Sequence, residues 1–200
     1  MVKISVLLVV HNEENQISSC LENLTFADEI VIILDKCTDD TLDIIKKYTK
    51  TYYEGDWSIE GDRRNFGISK CSFDWILEID ADERVSNELK DEILGLIKVS
   101  KYDWHQIEVD NFINNKCVRF GWGAYFGKSS YAGLFRKGSK IWGPQRVHPK
   151  ITLSGKRGMN LRNRLTHFYC SDIKDLFRKL NSYSDAKAQD LVSEHSKEGF

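Results

Sequence analysis

Three times before residue 80, a short run of β-branched and leucine residues gives way to an amphipathic stretch at helical spacing. Ile4–Val10 has no polar face, the pattern of a strand buried on both sides. Asn12 is placed to cap the next helix, Glu13 and Glu14 in its first turn suit the helix dipole, and Ile17, Leu21 and Leu24 form its apolar stripe. Residues 29–34 make a second buried strand ending at Asp35. Thr38 or Asp39 then caps a helix with Leu42, Ile45 and Tyr48 on its inner side. A short third strand (51–54), a loop (55–62) and a short helix (63–70) lead into a fourth strand at Trp75. Such alternation specifies a parallel sheet covered by helices on both faces. A further amphipathic helix is expected over 88–99, with Leu89, Ile93, Leu96 and Ile97 inward.

After Ser100 the pattern changes. Residues 104–113 and 116–120 read as an antiparallel hairpin closed by Asn114-Asn115. Residues 121–143 are glycine- and aromatic-rich and read as irregular; 146–153 alternate weakly like a strand. A helix is expected over 172–192, with Ile173, Leu176, Phe177, Leu180 and Tyr183 on one side. With two prolines and no repeat, the chain reads as one domain over 1–200: a first half (1–100), a basic second half (101–171), and a closing helix and tail (172–200). Five scattered cysteines without metal-ligand spacing suit reduced thiols in the cytoplasm. The opening apolar run is too short for a membrane span and lacks a signal-peptide cleavage site, so it reads as an uncleaved strand.

The net charge of −1 conceals an asymmetry. Residues 111–171 hold 12 Lys or Arg and no Asp or Glu, whereas residues 1–110 hold 24 acidic and 12 basic side chains. A +12 stretch attracts anions and lacks partners within itself. Either it is a basic face paired with the acidic half, or it binds something anionic.

The fourth strand runs into Asp80-Ala81-Asp82-Glu83. If the chain stays extended there, Asp80 and Asp82 point the same way, while Glu83 faces away. Paired carboxylates at a strand's carboxyl end suit Mg²⁺ or Mn²⁺, which takes its other ligands from water and substrate phosphates. In open α/β sheets ligands sit beyond those ends. Four loops converge there: His11 to Glu14, Asp35 to Thr41, Arg63 to Gly67, and Asp80 to Glu83.

Taken together, the four loops resemble the inverting family 2 glycosyltransferases. These carry a Tyr-Asn-Glu-Glu-like motif after the first strand, an Asp-x-x-Ser-Thr-Asp-x-Thr-like loop, an Ala-Arg-Asn-x-Gly-like segment and Asp-Ala-Asp. The resemblance covers residues 1 to 100 well, and looks most like small bacterial transferases of lipopolysaccharide-core and surface-glycan assembly. Val147-His148, and His167 ahead of the final helix, resemble further motifs of that group. The fold implied is α/β of the GT-A (Rossmann-like) type: a mostly parallel sheet, a smaller antiparallel acceptor-side region and a C-terminal helix.

The function implied is metal-dependent transfer of a sugar, with inversion, from a nucleotide-sugar (a UDP-sugar foremost) to an anionic glycan or lipid-linked acceptor. The resemblance assigns the nucleobase to Asp35 or Asp39, and places His11, Asn12 and Glu13 at the nucleotide-sugar. Asp82 is the expected direct ligand of Mg²⁺ or Mn²⁺, and Asp80 approaches the ribose or the metal-bound water. Arg64 is expected to neutralise the diphosphate through its planar donor fork, and Arg63 to lie on the surface. Related enzymes often read Val-His-Glu where this chain reads Val147-His148-Pro149. Without that Glu, His148 or Asp110 is left as the candidate catalytic base.

Arg136, Arg146, Trp122 and Trp142 are candidate acceptor contacts. The basic half, with Lys137, Lys140, Lys150 and Lys156-Arg157, could also touch anionic lipid at the inner face of a membrane. The rivals are a sugar nucleotidyltransferase and a non-catalytic anion or RNA binder. A nucleotidyltransferase calls for a glycine-rich, arginine-bearing loop after the first strand, which His11-Asn12-Glu13-Glu14-Asn15 is not. An RNA binder leaves the Asp-Ala-Asp half unused, so no nucleic-acid partner is expected.

Overall fold

The computed structural model describes residues 2–120, 127–145, 149–172 and 174–181, together with 184 and 188. Its elements run β1 (Ile4–Val10), α1 (Ile17–Asn23), β2 (Glu29–Asp35), α2 (Thr41–Ile45), β3 (Tyr52–Gly55), α3 (Glu60–Lys70), β4 (Trp75–Glu78), β5 (Glu83–Arg84) and α4 (Asn87–Val99). They continue through β6 (Trp104–Ile113), β7 (Lys116–Cys117), β8 (Ser130–Arg136), β9 (Lys140–Trp142), β10 (Ile151–Leu153), β11 (Arg157–Asn160) and β12 (Leu165–Cys170). Residues 174–181 are helical.

One sheet in the order β3-β2-β1-β4-β8-β6-β12-β5 takes strands from both halves of the chain. β3, β2, β1 and β4 are parallel neighbours, β8 runs antiparallel between β4 and β6, and β12 is parallel to β6. A separate antiparallel pair, β9-β10, lies beside it. The continuous apolar runs have the cause expected of them. In β1, Val6 and Leu8 pack with Ile17 and Leu21 of α1 and Leu89 and Ile93 of α4, while Leu7 packs on the other face with Val31, Ile33, Ile76 and Ile68 of α3. At about 1.5–3 kcal/mol for each fully buried aliphatic side chain, neither face of such a strand can be left to water. On the α3 face the approach is close. A methyl group on Gly67 would lie 2.6 Å from Leu7 Cδ1 and 2.9 Å from Ile33 Cγ1.

The hairpin forms with its second arm cut to Lys116–Cys117: β6 and β7 pair antiparallel, and Asn114 and Asn115 take positive φ of 44° and 60°. Ser86 caps α4 by accepting from Leu89 N at 3.2 Å.

Several expectations are corrected. Residues 130–136 form the strand β8 at the centre of the sheet, because Ala132, Leu134 and Phe135 are needed there as core. β11 and β12 also appear where no element was expected, and of the strand expected over 146–153 the described residues 149–153 give β10 at Ile151–Leu153. Asn12 does not cap α1, which starts at Ile17; it adopts φ 55°, and its Oδ1 accepts from Thr38 N at 2.8 Å, joining the first loop to the second. Of the two readings of the basic half, its pairing with the acidic half is the one seen. Arg119 pairs with Asp110, Arg136 with Asp74, Lys140 with Glu78, and Arg164 with Glu108 and Asp110. Lys137 Nζ donates to the carbonyls of Ser69 and Cys71. Among the described residues, no helix is long and apolar enough to cross a membrane. Ile173 and Tyr183 lie outside the described residues.

Candidate active site

β4 does not continue through the carboxylate pair. The chain turns at Asp80, where Glu83 N donates to Asp80 O at 3.0 Å, so Asp80 and Asp82 leave a turn and acquire different partners. Asp80 Oδ1 accepts from Arg64 Nη2 at 3.2 Å, and its Oδ2 from Lys128 Nζ at 2.9 Å. Burial alone would raise the Asp80 carboxyl, but the Lys128 ammonium and the Arg64 guanidinium overcome it and hold the group well below the usual carboxylate range.

Glu83, expected to face away, is fully buried under the turn. Its Oε2 accepts from Asp80 N at 2.9 Å, and its Oε1 lies 2.8 Å from Lys128 Nζ. Burial, with the charges of Asp80 and Asp82, raises its pKa despite Lys128. Burial works against the Lys128 ammonium as well, yet Asp80 and Glu83 outweigh it and push its pKa up.

Beneath the turn, Glu78 is almost wholly buried between Lys140 Nζ (2.6 Å) and Arg64 Nη1 (2.8 Å). These two cations overcome the burial that would raise Glu78, and its pKa is lowered. Tyr131 OH donates to the Glu78 carbonyl at 2.8 Å. Arg64 is therefore not a free fork for a diphosphate. Its Nε, Nη1 and Nη2 face Glu60, Glu78 and Asp80, and the Trp142 ring covers it at 4.7 Å. The neighbouring Asn65 holds Trp142 by both backbone groups, each at 2.9 Å.

Asp82 faces the cleft with 21% of its side chain exposed, and its Oδ2 lies 3.3 Å from Nε2 of His167 on β12. Asn111 Nδ2 donates to the Lys128 carbonyl at 3.0 Å, which leaves its Oδ1 to accept from His167 Nδ1 at 2.7 Å. With the tautomer assigned from that network, the His167 Nε2 lone pair is turned to Asp82. Two lone-pair atoms facing each other at this distance call for a proton or a cation between them. Among the described residues no group of three or more His, Cys, Asp or Glu converges as a metal cage. A carboxylate and an imidazole at the edge of a cleft do fit an ion that draws its other ligands from water and phosphate.

The cleft, of about 650 Å³, is lined by His11, Asn12, Glu13, Asp82, Phe112 and Phe168, among others. Burial raises the Glu13 carboxyl, although Gln16 Nε2 donates to it at 2.6 Å. Asp35 lies next to this cleft but is itself buried: Trp57 N donates to its Oδ1 at 3.0 Å, and Arg63 is ion-paired to its Oδ2. Arg63 is thus no surface residue. His11 Nδ1 donates to the Asp35 carbonyl at 2.6 Å. Asp39 accepts from the backbone N–H groups of Thr41 and Glu14, both at 3.1 Å, and so serves the start of α2 and the first loop together.

Two expected members are elsewhere. Asp110 is neutralised by Arg119 and Arg164, and the alternation of β6 puts it on the face opposite Asn111, which leaves it unsuited as a base. Arg136 pairs in register with Trp75, at the end of β4 away from Asp80. Trp122, Arg146 and His148, with Tyr125, Phe126 and Val147, lie outside the described residues. Sequence reasoning missed Lys128, and it placed His167 before a helix rather than on a strand. The alternation Leu165-Thr166-His167-Phe168-Tyr169-Cys170, with its aromatic and β-branched residues, was the available signal for β12.

Known proteins resemble the chain along most of its length. An uncharacterized glycosyltransferase of Rickettsia typhi is 29% identical, over 98% of this chain and 70% of the relative. The lipopolysaccharide core biosynthesis glycosyltransferase LpsC of Rhizobium meliloti is 26% identical, over 98% of this chain and 74% of its own. The crystal structure of S. aureus TarS 1-349 in complex with UDP shares the fold at 15% identity, with a TM-score of 0.64, and covers 88% of this chain. This chain spans 62% of that one. A family model, Glycosyl transferase family 2, matches residues 5–182, and the chain belongs to that family and is a glycosyltransferase.

Proposed function

We propose that this enzyme transfers a sugar from a nucleotide-sugar, with inversion, to a glycan or lipid-linked saccharide in bacterial lipopolysaccharide or surface-polysaccharide synthesis, at the cytoplasmic side of the membrane. The observation that carries this reading is the meeting of Asp82, which lines a cleft shared with the first loop, with the buried His167 behind it. The name of the Rhizobium relative supports the pathway, and UDP bound to TarS supports a UDP-sugar as donor.

Asp82 and His167 would hold Mg²⁺ or Mn²⁺, which when bound supplies Lewis-acid stabilisation to the departing diphosphate. Asp80, pinned by Arg64 and Lys128, presents a fixed carboxylate to the donor. His11, Asn12 and Glu13 line the nucleotide side, with Asp35 and Asp39 holding that loop in shape. Trp142, over Arg64, remains a candidate acceptor contact, as do Trp122 and Arg146. His148 is the proposed base, since residues 111–171 offer no carboxylate and Asp110 is tied up. The many internal partners of the basic half weigh against an RNA-binding stripe.

The test is turnover of a panel of nucleotide-sugars with and without Mn²⁺, comparing wild type with Asp82→Ala. Loss of turnover by more than about 100-fold is expected for a residue that orients the ion. Activity retained in the variant would refute the assigned role.

A further inference from the structure

We propose that Lys128 is a fixed cation for the leaving diphosphate, so that part of the donor's phosphate binding persists without a divalent ion. This rests on the nucleotide-sugar reading above and assigns a residue that reading lacks. A departing diphosphate needs positive charge, and the obvious source in the sequence, Arg64, is committed: three of its donor positions face carboxylates, its ring face is covered, and only 13% of the side chain is exposed.

Lys128 reaches the same place from the segment before β8. Its Nζ sits 2.9 Å from Asp80 Oδ2 and 2.8 Å from Glu83 Oε1, with the Tyr131 ring 4.0 Å away. An ammonium has three donors; one is given to Asp80 Oδ2, and Glu83 Oε1 faces the same charge at 2.8 Å. With 28% of its side chain open to solvent, Lys128 is the more exposed of the two cations beside Asp80. Its backbone is anchored as well, because Asn111, the partner of His167, donates to the Lys128 carbonyl. The carboxylate pair is thereby divided. Asp80 is served by cations of the protein, while Asp82 and His167 are left for an exchangeable ion.

Calorimetric titration of UDP and of uridine, in EDTA and in Mn²⁺, tests this. In EDTA the wild type should bind UDP at least about 10-fold more tightly than uridine, a margin of about 1.4 kcal/mol. Lys128→Met should erase that margin and leave uridine binding unchanged, and Lys128→Arg should restore most of it. Equal affinity for UDP and uridine in EDTA, with UDP binding regained in Mn²⁺, would overturn the inference while the nucleotide-sugar reading stands. So would loss of uridine binding together with UDP in Lys128→Met, the mark of a purely structural lysine. Wild type that binds neither UDP nor uridine under any condition would instead remove the nucleotide-sugar reading itself.

Discussion

Asn111 decides what His167 can do. By accepting from Nδ1 it fixes a proton on that side of the ring and turns Nε2 to Asp82, where a proton or a cation joins the two. Partners behind a metal-binding imidazole typically govern affinity by about 10- to 100-fold. Asn111→Ala should therefore weaken Mn²⁺ binding by that factor, read by titration of the ion, with little change in uridine affinity. At this scale the sequence was only partly legible. Asp80 and Asp82 announce themselves, because two carboxylates after an apolar strand are hard to explain as core. Lys128 and Asn111 carry no such signal: each is an ordinary polar residue until the sheet brings it under the turn. Arg64 was legible as a member of the site but not as to its partners, since Glu60 and Glu78 compete for its fork and nothing in the local pattern reveals that Glu78 is buried.

Helix α3 shows how one element sets several positions at once. Arg63 holds Asp35, Arg64 holds Glu78 and Asp80, and Asn65 holds the backbone of Trp142. All three depend on how closely α3 lies on β1 and β2, which Gly67 permits. Adding one methyl there meets Leu7 and Ile33. Overpacking of this kind typically costs about 1–3 kcal/mol, so Gly67→Ala should lower the urea midpoint accordingly, and also weaken donor binding as the arginines shift. Elements with a clean period were legible: β1, β2, β4 and α4 follow from their apolar spacing, and the β6-β7 turn from two asparagines that tolerate positive φ. β8 and β12 were not. Glycine and aromatic residues around β8 mask its alternation, and although β12 has strand-forming residues, its partners β6 and β5 lie far away in sequence.

Across the whole molecule, the two halves of opposite charge are complementary surfaces of one sheet. Outside Lys128, the basic segment reads as an anion-binding face only until Asp74, Glu78, Glu108 and Asp110 are seen against it. This has a pH consequence. Glu78, Asp80 and Asp110 have folded pKa values below their ordinary ones. Their stabilisation is therefore complete above the unfolded values near 4 and is lost as pH falls towards the folded ones. Glu13 and Glu83, shifted upwards, act in the opposite sense and erode stability as rising pH ionises them. Removing Arg64 should show the first effect directly. Arg64→Met takes one of two cations from each of Glu78 and Asp80, leaving Lys140 and Lys128, at a cost of about 3 kcal/mol near pH 7, the low end for breaking a buried pair. The gap to wild type in urea unfolding should narrow below about pH 4, as those carboxyls take up protons.

The pairing of β12 with β5 and β6 also bears on how the enzyme is made. Asp82 emerges from the ribosome long before His167, and everything between them must be synthesised before the imidazole can come to rest opposite the carboxylate. A chain clipped ahead of β12 keeps the residues of β1 to β11, Asp82 among them, but lacks the imidazole that faces it. On the donor-site reading proposed above, transfer therefore waits on the last strand of the sheet.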